Sequence, residues 1–230
     1  MIKKKIFIAC DTTNLNFIKK IIEKSQTKKL DIGYKFGLEF FNSKKGRSFL
    51  YKIKNKKIWL DLKLFDIPNT VYSSVIALKD LKNIKYITVH ASGGLEMMRA
   101  AKKAAKKINK KIKVLGVTIL TSFSNKSLRK TGHTKSIKKI VELQAKLIRS
   151  AGLDGVICSG HEAKIIKKIY RNFEIITPGI RFGGDKKQDQ KRIMTPNQAF
   201  KNGATAIVIG RSITKGNIKN NLQKLIKLLN

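Results

Sequence analysis

The chain has 230 residues, 42% of them hydrophobic, and a formal net charge of +37 from 51 Lys and Arg against 14 Asp and Glu. That length suits one large domain with a sizeable core, and no apolar run approaches the ~20 residues of a membrane span. Cys10 and Cys158 sit far apart in apolar runs without a CxxC, which argues against a disulfide framework or thiolate metal site and for two buried, reduced thiols.

The charge invites a nucleic-acid reading. However, the basic residues are overwhelmingly Lys, spread along nearly every helical stretch. Specific sites cluster their basic residues and favour Arg for base contacts. The expectation is therefore a generic basic surface with weak, salt-sensitive polyanion binding and no specific nucleic-acid partner.

The first segment, KIFIAC at 5–10, is too short for a signal peptide, lacks a small-residue cleavage site, and runs straight into Asp11. It reads as the first buried strand of a cytoplasmic protein with no membrane partner. Further short apolar runs follow at 30–36, 57–62, 85–90, 112–120, 154–159, 173–179 and 206–210, and their β-branched content predicts strands. Between them lie Lys-rich amphipathic stretches. Val71, Val75, Leu78 and Leu81 predict a helix over 70–82. Ile137, Ile140, Val141, Leu147 and Ile148 predict another over 136–152, with Gly152 as a C-cap. A last helix spans 217–230.

Strands alternating with helices argue for a parallel sheet. Eight such units in 230 residues predict an α/β fold of the (β/α)₈ TIM-barrel type, a single domain over 1–230, with an open doubly wound sheet as the alternative. No GxGxxG follows the first strand, which weakens a dinucleotide-binding version of that alternative.

In such a barrel the chemistry lies at the C-terminal ends of the strands. Those ends carry Asp11, Lys35, Asp61 with Lys63, His90, Thr121 with Ser122, Ser159, Arg181, and Gly210 with Arg211. Asp61 and Lys63 are two apart, so they face the same way, into the barrel mouth, with Leu60 and Leu62 turned to the helices. Lys35 and Asp11 should point into the same space. A Lys held between two carboxylates stays protonated and can donate a proton at a defined point. Asp66 lies past the strand end, before Pro68, where periodicity does not give its direction; Asn69 or Thr70 is a candidate cap for the next helix.

Arg181 and Arg211 follow strands seven and eight, where barrels often bind phosphate. Gly179, Gly183, Gly184 and Gly210 would let backbone N–H groups approach an anion. A phosphorylated small molecule is the expected substrate. His90, His133 and His161 are scattered, so no metal site is expected; Lys63 would oppose Mg²⁺ on Asp61 and Asp66. His90 is expected to be a hydrogen-bonded strand-end residue.

The segments LDLKLFDIPNTV, VHASGG, LTS, GLDGVICS, TPGIR, GDKKQDQKRIMTP and VIGRSIT, running from residue 60 to residue 214, resemble the orotidine 5′-phosphate decarboxylase family in its compact bacterial form. With Asp11 the likeness covers nearly the whole chain. DLKxxDIPNT is specific, whereas a bare DxKxxD is shared with other barrel enzymes acting on sugar phosphates. The resemblance implies a cofactor-free decarboxylase that converts orotidine 5′-monophosphate to UMP, working as a homodimer with sites at the interface. It implies that Lys35, Asp61 and Lys63 form the charged array, that Lys63 donates the proton, and that Asp66 and Thr70 reach into the partner's site. Asp11 and Lys35 would contact the ribose, and Thr121 and Ser122 would lie near the pyrimidine. Arg181, Gln190, Gly210 and Arg211 would bind phosphate beneath a closing loop over 182–190. Two departures, Cys10 where Leu is common and the heavy Lys load, leave these motif residues untouched.

Overall fold

The computed structural model describes residues 3–170, 172–185 and 192–229. Eight strands, β1 (Lys5–Ala9), β2 (Asp31–Gly37), β3 (Lys57–Leu64), β4 (Ile84–His90), β5 (Lys113–Val117), β6 (Gly155–Ile157), β7 (Glu174–Ile180) and β8 (Ala206–Ile209), alternate with helices. They close in sequence order into one barrel. Every pair is parallel, β1 with β8 included, which removes the open-sheet alternative.

Strand β5 is much shorter than its apolar run. β5 stops at Val117 because both the N–H and the hydroxyl of Thr118 donate to the Ile157 carbonyl, and Ile119 and Leu120 leave the ladder. The helix expected over 70–82 spans Pro68–Ile76 instead, with Pro68 in its first turn. Proline's fixed φ suits that position. The N-cap is thus Ile67, without a side-chain cap bond, and neither Asn69 nor Thr70 takes that role. The helix Ile137–Ser150 forms where expected, capped by Ser136, whose side chain accepts from the Lys139 N–H. The last helix spans Ile218–Leu229.

Inward positions recur with the two-residue period of a strand. Phe7, Trp59, Tyr86, Leu115, Ile176 and Ala206 fill the lower barrel, with Ala9, Val117, Ile157 and Val208 packed in the same cluster. Phe7 meets Trp59 and Tyr86 edge-on, at centroid separations of 4.9 and 5.1 Å. Such edge-to-face pairs add to area burial. Gly33 makes room for this floor, since a Cβ there would lie 2.5 Å from the Phe7 ring. Among the described residues no helix is long and apolar enough to cross a membrane.

Candidate active site

Above the aromatic floor the inward positions turn polar. Lys35 Nζ lies 3.0 Å from Asp11 Oδ1 and 3.4 Å from Asp61 Oδ2, and Lys63 Nζ lies 2.9 Å from Asp61 Oδ2. The four charges therefore form a chain of alternating sign. Lys35 and Asp61 are only 9% and 7% exposed, so their charges are shielded from bulk solvent. Burial opposes the charge on Asp61, but the Lys35 and Lys63 ammoniums and the bonds from Lys63 and Thr88 prevail, holding its carboxyl below the ordinary range. Burial likewise opposes the charge on Lys35, and Asp61 and Asp11 overcome it, raising that pKa.

Lys63 reaches the array by a different route from regular alternation. Its φ is +48°, in the left-handed region, and the β3–β4 register shifts between Leu60 and Leu64. A residue with a Cβ adopts such a backbone only when its surroundings enforce it. The Thr88 hydroxyl on β4 accepts from the Lys63 N–H at 3.0 Å and donates to Asp61 Oδ1 at 2.9 Å.

Asp11, Lys35, Asp61, Lys63, Thr121, Ser122, Arg181, Gly210 and Arg211 all line one cavity of about 600 Å³. Arg181 is buried, and its Nη1 donates to the Ile180 carbonyl at 2.9 Å. Its backbone is pinned from outside β7, since Arg181 N–H donates to the Met194 carbonyl and Met194 N–H to the Gly179 carbonyl. Ser212, next to Arg211, donates to Asp185, so the two arginine-bearing loops are bonded to each other. Gln190, with residues 186–189 of the expected loop, lies outside the described residues.

Asp66 and Thr70 are exposed and are absent from the cavity wall. Asp66 Oδ1 accepts from the Ile67 N–H at 2.7 Å, and its neighbours Phe65 and Ile67 are 64% and 65% exposed. His90 behaves as a hydrogen-bonded strand end. Its Nδ1 accepts from the Ser92 N–H at 3.3 Å, its ring stacks on Phe65, and burial and Lys63 lower its pKa. Ser159 caps the following helix, Gly160–Ile169. Cys10 and Cys158 are free and buried, and burial pushes both thiols up. Among the described residues no group of three or more His, Cys, Asp or Glu side chains could hold a metal ion.

Two features escaped the sequence reading. Thr88 could have been found, because it lies two residues from both Tyr86 and His90 and so shares their inward face. Arg192 could not. Its Nη1 donates to Glu162 Oε1 at 2.6 Å, and its Nη2 donates to the carbonyls of Ile119 and Leu120 at 3.3 and 3.4 Å. Those partners, 30 to 73 residues away in sequence, steady the segment leading to Thr121 and Ser122.

Fold and site together define the class: a (β/α)₈-barrel enzyme whose ionised side chains converge on the C-terminal mouth. The chain belongs to the orotidine 5′-phosphate decarboxylase / HUMPS family, whose model matches residues 4–224. It is 45% identical over 219 residues to the orotidine 5′-phosphate decarboxylase of Prochlorococcus marinus (strain MIT 9312), covering 92% of this chain and 89% of that one. To the enzyme of the same name from Wolbachia sp. subsp. Brugia malayi (strain TRS) it is 44% identical over 227 residues, covering 96% of each. The crystal structure of orotidine 5′-phosphate decarboxylase from Lactobacillus acidophilus superposes with a TM-score of 0.84 at 35% identity, covering 99% of this chain and 100% of that one.

Proposed function

We propose that the cavity holds orotidine 5′-monophosphate with its phosphate at Arg181, Gly210 and Arg211, its ribose at Asp11 and Lys35, and its pyrimidine beside Thr121, Ser122, Asp61 and Lys63. The reaction is loss of CO₂ from C6 to give UMP, a step of pyrimidine biosynthesis. The observation that carries the reading is the alternating chain Asp11, Lys35, Asp61, Lys63 on the cavity wall.

The chemistry follows from that array. When the C6–CO₂ bond breaks, its electron pair stays on C6. The Lys63 ammonium stabilises the developing negative charge, and its preset position costs no reorganisation during reaction. An Nζ–H proton then passes to C6, and the neutral amine regains a proton from water. Asp61, buried and held ionised, sits where the substrate carboxylate would lie and raises the energy of the bound ground state. Contacts from Arg181 and Arg211 to the distant phosphate supply binding energy that orients C6 over Lys63. Gln190 belongs to this phosphate set through the family resemblance alone.

The same reading makes the chain one catalytic domain working as a homodimer, with Asp66 and Thr70 delivered to the partner's cavity. The exposed Phe65 and Ile67 on either side of Asp66 support it, since a second copy would cover them. Cytoplasmic residence goes with two buried free thiols, which a reducing compartment preserves.

The test is the ultraviolet absorbance of orotidine 5′-monophosphate incubated with purified protein in excess EDTA, with Lys63→Ala alongside. Rapid loss in the wild type alone is expected. No loss from folded wild-type protein would defeat the reading, and activity restored only by Mg²⁺ would move it to a metal-dependent sugar-phosphate reaction.

A further inference from the structure

We propose that Thr88 is a positioning residue for the decarboxylation, its hydroxyl fixing at once the carboxylate of Asp61 and the left-handed backbone of Lys63. The inference rests on the reading of Lys63 as proton donor.

Thr88 is fully buried on β4 and is absent from the cavity wall, so it acts through other residues. A hydroxyl has one proton to give and two lone pairs. Here the proton goes to Asp61 Oδ1 at 2.9 Å and a lone pair accepts the Lys63 N–H at 3.0 Å. The β3–β4 register shift between Leu60 and Leu64 interrupts the ladder at Lys63, and the hydroxyl supplies the acceptor for its N–H. A buried N–H without an acceptor would be costly, so the hydroxyl also secures the φ of +48°.

Asp61 is gripped on both oxygens. Oδ1 takes the Thr88 proton, and Oδ2 faces Lys63 at 2.9 Å and Lys35 at 3.4 Å. The groups around the carboxylate are thus Lys35 from β2, Lys63 from its own strand and Thr88 from β4, with Asp11 on the far side of Lys35 and His90 near Lys63. Thr88 is the uncharged member of this shell, so removing its hydroxyl loosens the geometry without changing the charge balance.

The experiment compares kcat, the Kd for UMP and the pH dependence of kcat at saturating substrate for wild type, Thr88→Val and Thr88→Ser. Valine keeps the shape and removes the hydroxyl, and kcat is expected to fall about 10- to 100-fold, the usual worth of a hydrogen bond to a charged group. The Kd for UMP should stay within about 3-fold, because Thr88 does not line the cavity. Serine restores the hydroxyl and should recover kcat to within about 5-fold of wild type. The acid limb of kcat should move to higher pH in Thr88→Val, since one of the bonds that favours ionised Asp61 is gone. A Thr88→Val enzyme with unchanged kcat, or a Thr88→Ser enzyme as slow as Thr88→Val, overturns the proposal. If Thr88→Val does not fold, Thr88→Ala replaces it, and failure of both to fold marks a purely structural residue and also overturns it. Wild-type protein without turnover instead defeats the decarboxylase reading on which the proposal stands.

Discussion

At the N-terminal end of the barrel, Glu174 takes Lys5 at 2.5 Å, Lys113 at 3.1 Å and the Tyr86 hydroxyl at 3.2 Å, while Lys57 pairs with Asp31 beside them. At the C-terminal end, Asp61 takes Lys63 at 2.9 Å and Lys35 at 3.4 Å. Both ends therefore set one inward carboxylate between two lysines. They differ in what lies next to it. Beneath the aromatic floor the charges sit among their own partners and against the Tyr86 ring, over which Lys5 and Lys113 both lie. At the mouth the same chemistry borders a cavity of about 600 Å³ and rests on a left-handed lysine. A shielded ion network is thus not by itself the mark of a site. The mark is a network with room beside it and a backbone held out of its preferred conformation.

The largest loss should come from removing a lysine at the top of the barrel. Lys63→Ala should lower kcat by at least about 10⁴-fold, the combined size of lost electrostatic stabilisation and lost proton donation. Its circular dichroism should match the wild type, and near-normal turnover would end the assignment. Next comes a mixing experiment that tests the dimer. Lys63→Ala and Asp66→Ala should each be nearly inactive alone. Refolded together they should regain activity, because a mixed dimer holds one site with both residues intact. No recovery would mean that Asp66 serves its own chain or neither.

Arg211→Ala should lower kcat/KM by about 10²- to 10³-fold, a loss of 3–4 kcal/mol from one cation on a phosphate. An unchanged ratio would remove Arg211 from the phosphate site. The smallest effect belongs to the bottom of the barrel. Glu174→Gln removes the shared negative charge from two partly exposed lysines, at about 1–2 kcal/mol. Thermal unfolding should fall by about 2–8 °C with kcat unchanged. A loss of activity there would show that the two ends are coupled.

Two titrations bound the pH range of the Lys35–Asp61 pair. Asp61 has a lowered pKa in the fold, so its contribution is complete above the ordinary value of 3.8 and is lost as pH falls through the lowered one. Lys35 has a raised pKa, so its contribution is complete below 10.5 and is lost as pH rises through the higher value. Asp61 and Lys35 both stay charged across everything between.

Much of this was legible from strand ends. Closure into eight strands followed from the spacing of apolar runs, and the convergence of Asp11, Lys35, Asp61 and Lys63 followed from which residue ended each run. Three things were not legible, for separate physical reasons. The left-handed φ of Lys63 breaks the alternation used to predict its direction; the side chain reached the expected place through a backbone that no propensity favours. Asp66 has no period to follow, because Pro68 opens a helix directly after it. Arg192 pairs with Glu162 across 30 residues, and a single sequence carries no trace of such a contact.

Lys63 also sets a trap for anyone seeking a hardier version of this protein. Glycine and asparagine tolerate a φ of +48° far better than lysine does. A screen that rewarded only heat resistance would weigh relief of that backbone against loss of the ion pair to Asp61, and if Lys63 is the proton donor proposed above, any clone kept with it replaced would be an inert barrel.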